Sequence, residues 1–147
     1  SDLVIVVMKD GPYANAKALS DFSGARITGQ LNTFHYSVVD QIPGVAKQTA
    51  LETFTAMIVA LAAGRIDGYV SERPGALSAM ISNPEFSFVS FEEGQGFETL
   101  AEDTTVAVGL QKGSPLKDKI NAILAGIDKD ERVKLMDEAM ARQPLSE

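Results

Sequence analysis

GRIDGYVSERPGAL, residues Gly64 to Leu77, decides how the chain is read. Ile66 to Val70 have the composition of a short buried strand, entered from a helix that Gly64 closes. The chain then turns polar at Ser71-Glu72-Arg73, and Pro74 sits where the first turn of a new helix tolerates proline. Helix, strand, polar tip and helix in so few residues mark one unit of an α/β sheet. The unit delivers a carboxylate, Glu72, to the tip of its own strand.

Outward from this unit the same alternation continues. Leu3 to Met8 form a β-branched run suited to a strand buried on both faces, and Asp10-Gly11-Pro12 ends it as a turn. A short helix is expected over Ala16–Phe22 and a strand over Ala25–Gln30. Asn32 or Thr33 can cap a helix reaching Ile42, before Pro43-Gly44. Val45–Gln48 are a third strand candidate. Thr49 can cap the clearest helix, with Leu51, Phe54, Ile58 and Leu61 on one face. Beyond the central unit, Ala76–Ile81 continue the helix behind Pro74, and Phe86–Ser90 and Thr105–Leu110 read as strands. Glu92–Asp103 are acidic and loop-like. A helix with Leu116, Ile120, Ile123 and Leu124 facing inward follows Pro115, and a last helix runs from Asp130 to Ala141. The expected class is α/β, a mostly parallel sheet flanked by helices.

Composition narrows the function. The 147 residues carry a formal charge of −7, with 13 Lys and Arg against 20 Asp and Glu and no basic stripe, which argues against nucleic acid. Absence of cysteine excludes disulfides and thiolate metal sites. No apolar run approaches the roughly 20 residues that span a bilayer, and the chain opens directly on a strand-like run, as a domain can or as a piece of a larger protein would.

In parallel sheets ligands sit beyond the carboxyl ends of the strands. Two strand-to-helix junctions stand there: Gln30-Leu31-Asn32-Thr33-Phe34, with backbone N–H groups and a hydroxyl for an anion, and Ser71-Glu72-Arg73-Pro74, with a carboxylate for a cation. Together they suit a zwitterion such as an amino acid.

Three segments carry a family resemblance that covers essentially the whole chain. ETFTAMIVALAAGRIDGYVSERPGA is similar to the helix, the "GR-hydrophobic-D" strand and the acid-x-Pro loop of the extracytoplasmic solute-binding proteins that feed polar amino acids to ABC transporters (type 2 periplasmic-binding-protein fold). TVAVGLQKGSPLKDKINAILAGI resembles their return strand, "KGS" turn and following helix. DLVIVVMKDGPYANAKALSDFSGARITGQLNT resembles their first hinge strand and the approach to lobe two. The resemblance implies that residues 1–110 are lobe two with its hinge strands, and that residues 111–147 are the helical segment that normally completes lobe one. It implies that the first part of lobe one is missing from this chain, with the family's arginine for the ligand carboxylate. It also implies an amino acid ligand, ABC permease subunits as partners, no cofactor or metal, and a periplasmic or lipoprotein-anchored location. Helices after Pro115 without their usual partners would pack on lobe two or be shared in a homodimer.

Residue by residue, the acid that receives the ligand's ammonium falls on Glu72, where the family more often has Asp. The Gly-Thr turn that holds the carboxylate falls on Asn32-Thr33; Asn replaces Gly but tolerates left-handed backbone. Gln30, Phe34 and Ser71 fall where the side-chain pocket is lined. Plainer readings stand beside these: Glu72 as a solvated acid paired with Arg73 or Arg65, Thr33 as a helix cap only, Phe34 as core. His35, the single histidine, reads as structural or surface, Asp67 as facing solvent or a helix end, and Glu92, Glu93, Glu98, Glu102 and Asp103 as a solvated face without Ca²⁺-loop spacing. Two other functions share the fold: a dehydratase of the arogenate or prephenate type, with Glu72 doing acid–base work, and an amino-acid sensor module.

Overall fold

The computed structural model describes residues 3–142, without the side chains of Ala101 and Glu102. The last residues of the C-terminal segment, 143–147, and the first two of the hinge run lie outside it. The described chain falls into two compact units, divided between Thr104 and Thr105.

The first unit is built on four strands, β1 (Leu3–Met8), β2 (Ile27–Thr28), β3 (Gly68–Glu72) and β4 (Phe86–Val89), in the order β2-β3-β1-β4. β2 pairs parallel with β3, while β1 runs antiparallel to both β3 and β4. The mostly parallel expectation therefore holds for strand direction, since β2, β3 and β4 point the same way, but not for pairing. β1 is inserted against the others, so antiparallel ladders predominate. Each parallel step is crossed by a helix, as parallel geometry demands: α2 (Phe54–Ala62) between β2 and β3, and α3 (Arg73–Ser82) between β3 and β4.

β1 is buried on both faces, as its β-branched run predicts. Leu3, Ile5 and Val7 join Phe22, Ile27, Val39, Val70 and Val89 in one core. Val4 and Val6 face the other way, onto Met57, Leu61, Tyr69, Ala76 and Phe86. Each such side chain contributes about 1.5–3 kcal/mol by leaving water. The quoted stretch is shaped by two glycines. Gly64 takes φ +66 and closes α2 with paired bonds, Gly64 N–H to the Leu61 carbonyl and Arg65 N–H to that of Ala60. At Gly68 a Cβ would stand 2.8 Å from the Val6 carbonyl oxygen, so the strand can approach β1 only without a side chain there.

Several element limits differ from the sequence expectation, each because a hydrogen bond found a different partner. The helix expected from Thr49 begins at Phe54, capped by Thr53, whose hydroxyl accepts from Ala56 N–H. Leu51 is still extended, with its N–H on the Gly29 carbonyl and its carbonyl on Leu31 N–H. Val45–Gln48 are not a regular strand, yet Ala46 and Gln48 donate to the carbonyls of Ala25 and Ile27, running parallel beside β2. The helix expected to reach Ile42 is one turn of α-helix, α1 (Phe34–Ser37), continued by a 3-10 turn over Val38–Gln41. Ala16–Phe22 gives only a 3-10 turn, Leu19–Phe22. A short helix, α4 (Ala101–Thr104), ends the unit.

The second unit holds α5 (Lys117–Ala125) and α6 (Lys129–Ala141), the latter capped by Asp128. Neither helix buries a residue. Ile123 and Leu124, expected to face inward, are 59% and 44% exposed, and Leu116 is 52% exposed; two short helices cannot enclose each other's apolar faces. Thr105–Leu110, expected as a strand, lie outside any regular element.

Candidate ligand-binding site

The pairing of β3 with its neighbours places the candidate residues. Glu72, at the end of β3, is in register with Leu3 at the start of β1, so the carboxyl ends of β2, β3 and β4 share one sheet edge. The parallel β2–β3 pairing brings the segment after β2 to that same edge, where Gln30 bridges Leu51.

In the first junction, Asn32 takes φ +60, the one described non-glycine residue with positive φ. It stands where the left-handed turn requires the tolerance argued from its sequence. Thr33 occupies the cap position of α1, but its side chain does not cap. Its hydroxyl donates to the Gln30 carbonyl at 2.7 Å instead, drawing the loop into a closed turn. Gln30 Nε2 donates to the Glu52 carbonyl at 3.2 Å. Phe34 is half-buried and packs against the first core, with the His35 ring 4.2 Å away.

In the second junction, Glu72 is half-buried at the head of α3 and makes no capping bond there. By the alternation of β3 its side chain lies on the Val70 face, the face that carries Phe34. Ser71 points the other way. It is 7% exposed, its Oγ donates to the Glu72 carbonyl, and a Cβ on Gly75 would meet that Oγ at 2.8 Å. Glu72, Thr33, Asn32, Phe34 and Gln30 thus come to one edge, while Ser71 is tucked beneath the first turn of α3.

The plain ion-pair reading of Glu72 finds no partner: among the described residues no ion pair takes it. Arg73 lies over the Phe88 ring. Asp67, read from the sequence as facing solvent or a helix end, is paired with Arg26 instead. It accepts from the backbone N–H of Arg26 at 2.8 Å and from its guanidinium at 3.0 and 2.6 Å, and this pairing holds its carboxyl below the usual range.

His35, read from the sequence as structural or surface, is half-buried in the first junction. Its Nδ1 lies 3.3 Å from Thr33 Oγ1, and its Nε2 is buried without a partner among the described residues. Burial pushes its pKa down, with the nearby Glu72 carboxylate acting in the opposite direction. Its place one residue after Phe34 gave no signal of this burial.

Two cavities lie apart from these residues. One, about 620 Å³, runs beside α2 and is lined by Thr49, Leu51, Thr53, Ala56, Val59 and Arg65. Another, about 300 Å³, has Leu3, Phe91, Glu92, Glu93, Phe97 and Glu98 in its lining, so part of the acidic stretch read as a solvated face walls a pocket. Among the described residues no group of acids and histidine could hold a metal ion, and no helix is long and apolar enough to cross a membrane.

Solved structures of periplasmic-binding-protein domains match this mixed sheet flanked by helices. A substrate-binding protein of an amino acid ABC transporter from Streptococcus pneumoniae Canada MDR_19A, bound to L-arginine, matches with TM-score 0.76 and 24% identity over 96% of this chain and 57% of that one. An ancestral arginine-binding protein bound to arginine matches with TM-score 0.66 and 26% identity, over 95% of this chain and 59% of that one. Domain 2 of TmArgBP matches with TM-score 0.53 and 28% identity, over 61% of this chain and 95% of the domain. The structural neighbours are thus substrate-binding proteins of amino acid transport, and this chain spans a little under three-fifths of the two larger ones. No family model and no curated protein sequence matches it.

Proposed function

We propose that this chain supplies lobe two of an extracytoplasmic binding protein that captures a polar amino acid and delivers it to an ABC transporter permease. The observation that carries the reading is the parallel β2–β3 pairing, which brings Thr33 and Glu72 to one sheet edge. A hydroxyl with a positive-φ turn beside it, next to an unpaired carboxylate, matches the two ends of an α-amino acid. Glu72 receives the ammonium, and Thr33 with the backbone at Asn32 receives the carboxylate. Gln30 and Phe34 border the side chain, and Ser71 supports the loop from below. The match to an isolated domain 2, nearly complete on that domain's side, favours lobe two.

On this reading residues 111–147 complete lobe one together with chain outside this sequence, and closure of the lobes follows from tighter binding in the closed state. The role is binding, not catalysis. The exposed apolar faces of α5 and α6 are the surfaces through which the fragment alone would form homodimers.

A thermal-shift panel of L-amino acids on the chain completed with a first lobe tests the proposal. Stabilisation by one or a few polar amino acids, lost in Glu72→Ala, is expected. No shift across the panel, with turnover of arogenate or prephenate, would replace the reading by the dehydratase one.

A further inference from the structure

The junction after β2 contains the chain's single histidine, and the hydrogen bonds around it require its Nδ1 to carry a proton. A hydroxyl has one proton to donate. Thr33 gives it to the Gln30 carbonyl at 2.7 Å. His35 Nδ1 lies 3.3 Å from the same Oγ1, so the imidazole must be the donor between them. A neutral ring carries one N–H; with it on Nδ1, the buried and unpartnered Nε2 is a bare lone pair. The ring lies against Phe34, centroid to centroid 4.2 Å with 30° between the planes, and the backbone that carries it is seated closely on Gly29, where a Cβ would stand 2.7 Å from the His35 carbonyl oxygen. Desolvation favours the neutral ring, moving its pKa below the ordinary value, with the Glu72 carboxylate acting in the opposite direction.

We propose that His35 is a positioning residue for the ligand's carboxylate: its Nδ1–H holds Thr33 Oγ1 in place while the hydroxyl proton turns from the Gln30 carbonyl to an anionic oxygen. The inference rests on the amino-acid-binding reading of the same site. It extends that reading to direction. With one lone pair of Oγ1 occupied by His35, the hydroxyl faces a ligand chiefly as a donor, which suits a carboxylate and not an ammonium. Glu72 next to it takes only a donor. The pair therefore fixes which way round an α-amino acid lies, with His35 touching neither end.

The test uses the 147-residue chain and the probe L-arginine, followed by amide chemical shifts, together with the imidazole ¹⁵N shifts that a single histidine makes unambiguous. The expected results are an Nδ1-protonated neutral ring whose shifts change in Thr33→Val, and weaker L-arginine binding by about three- to tenfold in His35→Phe, the value of one hydrogen bond. His35→Asn, whose amide nitrogen can take the place of Nδ1, is expected to bind within about twofold of the parent, since the donor is kept. Agmatine, which lacks the carboxylate, should show no difference between the parent and His35→Phe. Thermal melts of each variant report whether it is folded. An Nε2-protonated ring, or a folded His35→Phe that binds L-arginine as the parent does, would overturn this inference alone. Absence of any L-amino-acid response at Thr33 and Glu72 in the parent would overturn the binding reading and this inference with it.

Discussion

Gly29 lies directly beneath His35: a Cβ built on the glycine would stand 2.7 Å from the His35 carbonyl oxygen and 2.7 Å from the Tyr36 amide nitrogen. Both contacts are backbone, so neither can swing aside. Gly29→Ala must lift α1 from the sheet or shift β2, and overpacking of this kind costs about 1–3 kcal/mol. Denaturant unfolding will show the loss, and amide shifts will show displacement concentrated over Thr33–Tyr36.

The register of α2 makes a second prediction. Thr53, not Thr49, carries the cap, with Ala56 N–H on its hydroxyl at 3.1 Å. Thr53→Ala should cost about 1 kcal/mol. Thr49→Ala should stay within about 0.5 kcal/mol, as a substitution away from such features does, because its carbonyl, not its side chain, is bonded to Thr28.

Stability should fall with acid in a window set by His35. Its pKa in the folded chain is depressed below the ordinary value of 6.5, so between the two values the unfolded chain binds the extra proton. The contribution is fully present above the unfolded value and is lost as pH falls through the folded one. His35→Asn should flatten that part of the stability–pH curve. Asp67, depressed from 3.8 by Arg26, gives a separate loss of the same sign at lower pH, removed in Asp67→Asn.

Tyr69 predicts an effect of opposite sign. It is fully buried, set edge-on to Phe54, and its hydroxyl has no hydrogen-bond partner among the described residues. Burial raises its pKa far above the ordinary range. Tyr69→Phe removes an unsatisfied polar atom and keeps the ring, so it should leave stability unchanged or raise it by up to about 1–3 kcal/mol, measured as a shift in the denaturant midpoint.

Local chemistry in the sequence was enough to place β1, the turn of direction at Gly64, the β3 tip and the proline-led α3. Each is written in a few adjacent residues: a β-branched run, a left-handed glycine, an apolar pair before a polar loop. Pairing sense was not legible, because whether β1 runs with or against β3 depends on where the chain enters the sheet. Leu51 illustrates the same limit. Its spacing to Phe54 and Ile58 fits a helix face, yet its N–H and carbonyl are claimed by Gly29 and Leu31. Glu72, Asn32 and Thr33 were legible as candidates because they stand at strand-to-helix junctions. The turn of Ser71 to the opposite face follows from strand alternation, whereas the burial of His35 and the Arg26–Asp67 pair needed the fold. The apolar spacing of α5 was visible, but spacing says nothing of whether a partner is present to cover it.

The measurement that bears most directly on the central claim is an amide chemical-shift titration of this chain with L-arginine, run beside Glu72→Gln. One lobe offers a fraction of the contacts of a closed cleft, so affinity in the millimolar range is expected, on the order of 4 kcal/mol of binding free energy. The account predicts saturable shifts confined to Gln30–Phe34 and Ser71–Arg73, abolished in the folded variant. Shifts centred instead on the cavity beside α2 or on Glu92–Glu98, or no shifts at either junction at tens of millimolar, would contradict it.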